Sequence, residues 1–125
     1  MSSASQKDIE RFLNDFKQKF KIFGVFFINR DKNEQALLDL EITSKQREEF
    51  LLNLKPEDYL SGPFTDAYDP DSPPNYEFGI TVKNKEVYIK INMGKPEKSV
   101  MCISFHIAER EMKYPFKKRI NEMKK

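Results

Sequence analysis

Residues 85–93 and 99–106 alternate apolar and polar positions with a period of two, which predicts strands with one buried and one wet face. In the first run Val87, Ile89 and Ile91 point one way and Tyr88, Lys90 and Asn92 the other. In the second, Met101, Ile103 and Phe105 share one side, and Cys102, Ser104 and His106 share the opposite one. Gly-Lys-Pro-Glu at 94–97 reads as a hairpin connection, Gly supplying positive φ and Pro a preset turn. With both apolar sides turned inward, Lys90 falls opposite or near Cys102, Tyr88 near Ser104, and His106 diagonally beyond Tyr88. A third alternating run precedes these, with Tyr76, Phe78, Ile80 and Val82 set against Glu77, Gly79 and Thr81. A two-residue turn at Asn84-Lys85 would pair Val82 with Val87, Ile80 with Ile89 and Phe78 with Ile91. That register brings Glu77 and Thr81 onto the wet face.

The first half of the chain has a helical period instead. Ile9, Phe12, Leu13, Phe16 and Phe20 form one stripe, which predicts an amphipathic helix over 5–21 that starts at Ser5 with Asp8. The unbroken apolar run 23–28 predicts an interior strand covered on both faces, ended by turn formers at 29–33. Residues 34–40 read as a short helix carrying Leu37, Leu38 and Leu40. Thr43 and Gln46 make a capping box for the next helix, which buries Phe50, Leu51 and Leu54 and stops at Lys55-Pro56. A long loop then begins at Glu57, and residues 66–75 hold three Pro and three Asp without periodicity. The order is helix, strand, two helices, then a three-stranded antiparallel meander: an α+β fold with helices on one face of the sheet.

Length and composition narrow this picture. At 125 residues, 38% hydrophobic and 34% charged, the chain is one soluble domain: an N-terminal helix (1–22), a core (23–107) and a basic tail (108–125). With 11 Phe and no Trp, phenylalanine builds the core. No apolar run approaches the ~18 residues of a membrane span, and residues 1–8 lack a signal peptide's apolar centre, so the expected compartment is the cytoplasm, with no membrane partner. One Cys rules out an internal disulfide, and with one His it offers no zinc site; no cofactor is expected. The net charge of +2 neither demands nor excludes a nucleic-acid partner, although residues 113–125 carry six Lys or Arg against one Glu.

The wet face collects Glu77, Tyr88, Lys90, Ser104 and His106, a set suited to metal-independent cleavage of RNA. A base, His106 or Glu77, would take the proton from a ribose 2′-hydroxyl; Tyr88 would orient or protonate, and Lys90 would offset charge on the phosphorane. The plainer account is a solvated face, with Tyr88 packing across strands, Lys90 a surface charge, His106 structural and Cys102 a part-buried filler.

Four segments carry a resemblance in their order and spacing: Ala36-Leu37-Leu38, then 53–59 (Asn-Leu-Lys-Pro-Glu-Asp-Tyr), then 86–91 (Glu-Val-Tyr-Ile-Lys-Ile), and Cys102-Ile103-Ser104-Phe105. Over roughly residues 24–106 the chain resembles the MqsR family of toxin–antitoxin messenger-RNA endoribonucleases, whose fold is RelE-like. The resemblance implies a toxin that cuts mRNA and is neutralised by a cognate antitoxin protein. It places the family's strand Tyr on Tyr88 and the following Lys on Lys90. It also implies His106 where the best-known member has Lys, and Glu77 where that member has Gln. A family Lys after the Asp-aromatic pair has no counterpart, since Leu60 and Ser61 stand there. Two other classes stay open: a non-catalytic module binding protein through the Phe-rich helix, and a domain that binds RNA without cutting it.

Overall fold

Residues 4–117 are described in a computed structural model. Helix α1 (Gln6–Phe23) starts at a reciprocal cap in which Ser5 Oγ accepts from the Asp8 amide and the Asp8 carboxylate accepts from the Ser5 amide. Its predicted stripe, Ile9 through Phe20, is buried throughout. Gly24, at φ 80, ends the helix, its N–H donating to the Phe20 carbonyl. Phe23 therefore belongs to α1, and strand β1 is only Val25–Phe27. β1 lies at a sheet edge with Phe26 exposed, which corrects the predicted interior strand. An apolar run alone cannot say that its residues serve a helix end, a short edge strand and an open face in turn.

Helix α2 (Asp31–Leu40) buries Asn33, Ala36 and Leu40, with Leu37 partly covered; Leu38 is exposed, against expectation, because it falls off that stripe. Helix α3 (Ser44–Leu52) has the predicted cap, Thr43 Oγ1 accepting from the Gln46 amide and Gln46 Oε1 from the Thr43 amide. Leu51 and Leu54 are buried, whereas Phe50 is only half-buried. The inner face of α3 is shared instead by Arg47, whose guanidinium sits 3.7 Å above the Phe27 ring.

A short 3₁₀ turn, Pro56–Asp58, leads into strand β2 (Tyr59–Phe64), where a loop was expected. Strands β3 (Asn75–Val82), β4 (Lys85–Asn92) and β5 (Val100–Ile107) follow. The sheet is thus five-stranded and mixed, in the order β1-β5-β4-β3-β2, rather than three-stranded. β3, β4 and β5 pair antiparallel in succession; β1 joins β5 in parallel and β2 joins β3 antiparallel. The general α+β class holds. Among the described residues no helix is long and apolar enough to cross a membrane.

Two features of register decide what reaches the wet face. The β3–β4 turn is Lys83-Asn84, both at positive φ (50 and 69), as a two-residue hairpin of this hand requires. It pairs Val82 with Lys85, Ile80 with Val87 and Phe78 with Ile89. This differs from the predicted register by an even number of residues, so every side chain keeps its expected face. The β4–β5 ladder is different. It pairs Tyr88 with His106 and Lys90 with Ser104, then shifts so that Ile91 pairs with Cys102. Ile103 is the extra residue of a β-bulge. Val100 and Cys102 are consequently buried with Ile91, while Met101 and Ile103 turn to the face of Lys90. The predicted grouping of Met101, Ile103 and Phe105, and the pairings of Lys90 with Cys102 and of Tyr88 with Ser104, are corrected accordingly.

The bulge is held from α2. Asn33, wholly buried, donates to the carbonyls of Ile28 and Ile103 at 3.0 and 3.1 Å and accepts from the Phe105 amide at 3.0 Å. Beyond β5 the chain crosses the wet face: a Cβ on Gly79 would meet Tyr114 Oη at 2.6 Å and Met112 Cε at 2.8 Å. Phe116 then stacks on Tyr59, ring centroids 5.2 Å apart, and is buried. The expected basic tail therefore begins as a packed strap; residues 118–125 lie outside the described residues.

Candidate active site

The helices cover the sheet face bearing Phe78, Val87, Ile89 and Phe105, and the opposite face carries the polar residues. Glu77 comes from β3, Tyr88 and Lys90 from β4, Ser104 and His106 from β5. All five line one cavity of about 460 Å³, as the alternation predicted. Direct pairing sets Tyr88 beside His106, their ring centroids 5.5 Å apart, and Lys90 beside both Glu77 and Ser104.

Hydrogen bonds fix the roles open to these groups. The Glu77 carboxylate accepts from the Tyr88 hydroxyl on one oxygen and from the Ser61 hydroxyl on the other. A carboxylate so engaged orients its neighbours more readily than it abstracts a proton. His106 is only 9% exposed, and its Nδ1 lies 3.0 Å from the Ile107 carbonyl oxygen. A carbonyl can only accept, so Nδ1 bears the hydrogen of this contact and Nε2 is the ring nitrogen left to handle a proton. Burial, followed by the bond to Glu77 and that residue's charge, pushes the Tyr88 phenol well above its usual value, and the nearby Arg110 and Arg30 only partly oppose this. Tyr88 is accordingly a neutral donor at physiological pH, able to give a hydrogen bond and unfit to act as a base.

Sequence reasoning missed several contributors. Arg30, just before α2, donates from Nη1 to Ser104 Oγ at 3.2 Å and lines the cavity with Arg110 and Lys113 of the strap. Lys32 and Glu109 form an ion pair at 2.8 Å that ties the strap to α2 at the cavity's edge. Ser61 reaches Glu77 because β2 shifts register between Tyr59 and Ser61, turning Tyr59 into the core and Ser61 toward the cavity. The only sequence signal for these residues was position, next to a strand end or in a segment read as loop or tail.

Cys102 lies in the core behind the site. Burial pushes its thiol up to about 12, against the pull of Arg47, and it donates to the Ser104 carbonyl at 3.4 Å. Among the described residues no group of three or more His, Cys, Asp or Glu is arranged to hold a metal ion. Compared with family models, curated proteins and solved structures, the chain matches none of them.

Proposed function

We propose that this chain is an endoribonuclease of RelE-like fold, akin to the MqsR toxins, that cuts messenger RNA by acid/base chemistry without a metal and is neutralised by a cognate antitoxin protein. The observation that carries the catalytic reading is the juxtaposition of Tyr88 and His106 in one cavity with Lys90, Arg30 and Arg110. His106 Nε2 removes the proton of a ribose 2′-hydroxyl, and that oxygen attacks the adjacent phosphorus. The bond to the 5′-oxygen breaks, leaving a 2′,3′-cyclic phosphate on one fragment. Tyr88 turns its one O–H from Glu77 to the departing 5′-oxygen and gives it that proton, which solvent then restores, while Lys90 and the two arginines balance charge on the phosphorane. Glu77 is a positioning residue in this scheme. The antitoxin and the choice of messenger RNA rest on the resemblance of residues 36–38, 53–59, 86–91 and 102–105 to the family's segments.

The test is RNA incubated with the purified protein in EDTA. Wild type should cleave, and Tyr88→Phe and His106→Ala should each lose roughly 10²- to 10⁴-fold in rate, the usual worth of a proton-transfer group. Cleavage unchanged by either substitution would reject the site. Intact RNA held in a salt-sensitive complex would favour the non-cutting RNA-binding reading.

A further inference from the structure

The bulge that aims Ser104 and His106 also opens a second cavity, about 750 Å³, on the same face. Its floor is Met101 and Ile103, the two apolar side chains that the extra residue turns outward. Two aromatic rings stand over it from opposite edges of the sheet: Phe26 of β1, paired with Met101 and 55% exposed, and Phe64 of β2, 45% exposed. Lys90 lines both cavities, so the groove adjoins the candidate active site at that side chain. Lys95 and Lys98 stand along the β4–β5 connection, and Asp66 and Asp69 along the loop that follows β2.

We propose that this groove seats the unpaired bases of single-stranded RNA next to the scissile phosphate, with Phe26 and Phe64 as stacking platforms and Lys95 and Lys98 meeting backbone phosphates. The proposal rests on the endoribonuclease reading of the adjoining site and names what holds its substrate there. Exposed aromatics beside lysines, open to a cavity of ligand size, are what sequence-tolerant stacking requires. Charge favours the same occupant, since the three lysines outnumber the two aspartates. The aspartates are also placed to accept from base-edge amino groups, as carboxylates do from cytosine. The shared Lys90 favours RNA as the occupant: a strand whose phosphate lies at Tyr88 and His106 reaches the groove by crossing that one side chain.

The test uses the full chain and a short RNA with 2′-fluoro sugars, which binds but cannot attack its own phosphate. Phe64→Leu and Phe26→Leu, which keep apolar bulk but remove the ring, should weaken binding about tenfold each. Phe64→Tyr should retain it. Lys95→Ala and Lys98→Ala should each reduce the salt slope by about one. An abasic nucleotide at the contacted position should weaken wild type and Phe64→Leu unequally, the loss being smaller where the ring is already gone. Unchanged affinity in both Leu variants would overturn the proposal, as would equal abasic losses; a groove that serves a peptide or a second copy of the chain gives that result. If natural RNA is still cut while the Leu variants bind normally, the groove fails and the endoribonuclease stands. If no form of the chain cuts while binding follows the rings, the cutting fails and the groove stands.

Discussion

Asn33 satisfies three backbone groups from a fully buried amide: the carbonyls of Ile28 and Ile103 and the N–H of Phe105. These are groups that β1's early end and the bulge in β5 leave without strand partners. Asn33→Ala should cost about 3 kcal/mol or more, since each orphaned buried group costs about 1–3 kcal/mol. Urea unfolding checks this, and the variant should also lose cleavage, because Ser104 and His106 take their direction from that bulge. Cys102 supplies a prediction with a definite sign. Its folded thiol, at about 12, stays protonated where the unfolded chain, near a free thiol's 9.0, has ionised. Above about pH 9 the folded state therefore binds more protons, and stability falls by up to about 1.4 kcal/mol per pH unit. The Tyr88 phenol, also raised, adds a loss of the same sign at higher pH. Cys102→Ala should be less stable than wild type near pH 8 but lose less between about pH 9 and 11, and denaturant midpoints at each pH measure the difference. Parallel curves would show that the thiol does not titrate as described.

At the scale of elements, β2 and β5 do more than extend the sheet. Each shifts register where a side chain has to change face: β2 between Tyr59 and Ser61 and again between Ser61 and Phe64, and β5 between the partners of Lys90 and Ile91. A strict period of two cannot express this, which is why Met101 and Ile103 read as core and Cys102 as part of the wet face. β2 was illegible for a related reason, since Gly62 and Pro63 break its alternation and Tyr59 falls in the segment read as a loop from Glu57. Helix α1 was legible almost to the residue because one uninterrupted period and a capping box agree. The strap over the wet face carries no period, and it packs by single contacts that sequence does not announce. Gly79 marks where it crosses. Gly79→Ala would push against Met112 and Tyr114, the far ends of flexible side chains, so about 1 kcal/mol of stability should be lost while the strap lifts. Limited proteolysis should then cut after residue 108 faster than in wild type.

For the molecule as a whole, the cluster of Glu77, Tyr88, Lys90, Ser104 and His106 was legible because alternation survives an even register shift. Its orientation was not, because Arg30, Ser61 and Arg110 arrive from other segments of the chain. Among the described residues, helices α1, α2 and α3 cover one sheet face, and both cavities that meet at Lys90 lie on the other. The toxin reading makes a cellular prediction: induction should arrest growth, Tyr88→Phe should relieve the arrest, and co-expression of the antitoxin should do the same for wild type. Growth unaffected by wild type at full expression would count against a toxin.

The most direct measurement is the chemistry of the cut ends. RNA treated with the protein in EDTA should yield 2′,3′-cyclic phosphates and 5′-hydroxyls by mass spectrometry, and a single 2′-deoxy sugar at the cleaved position should abolish that cut. Fragments ending in 3′-hydroxyl and 5′-phosphate, or cleavage that persists without the 2′-hydroxyl, would contradict a site in which His106 activates the ribose.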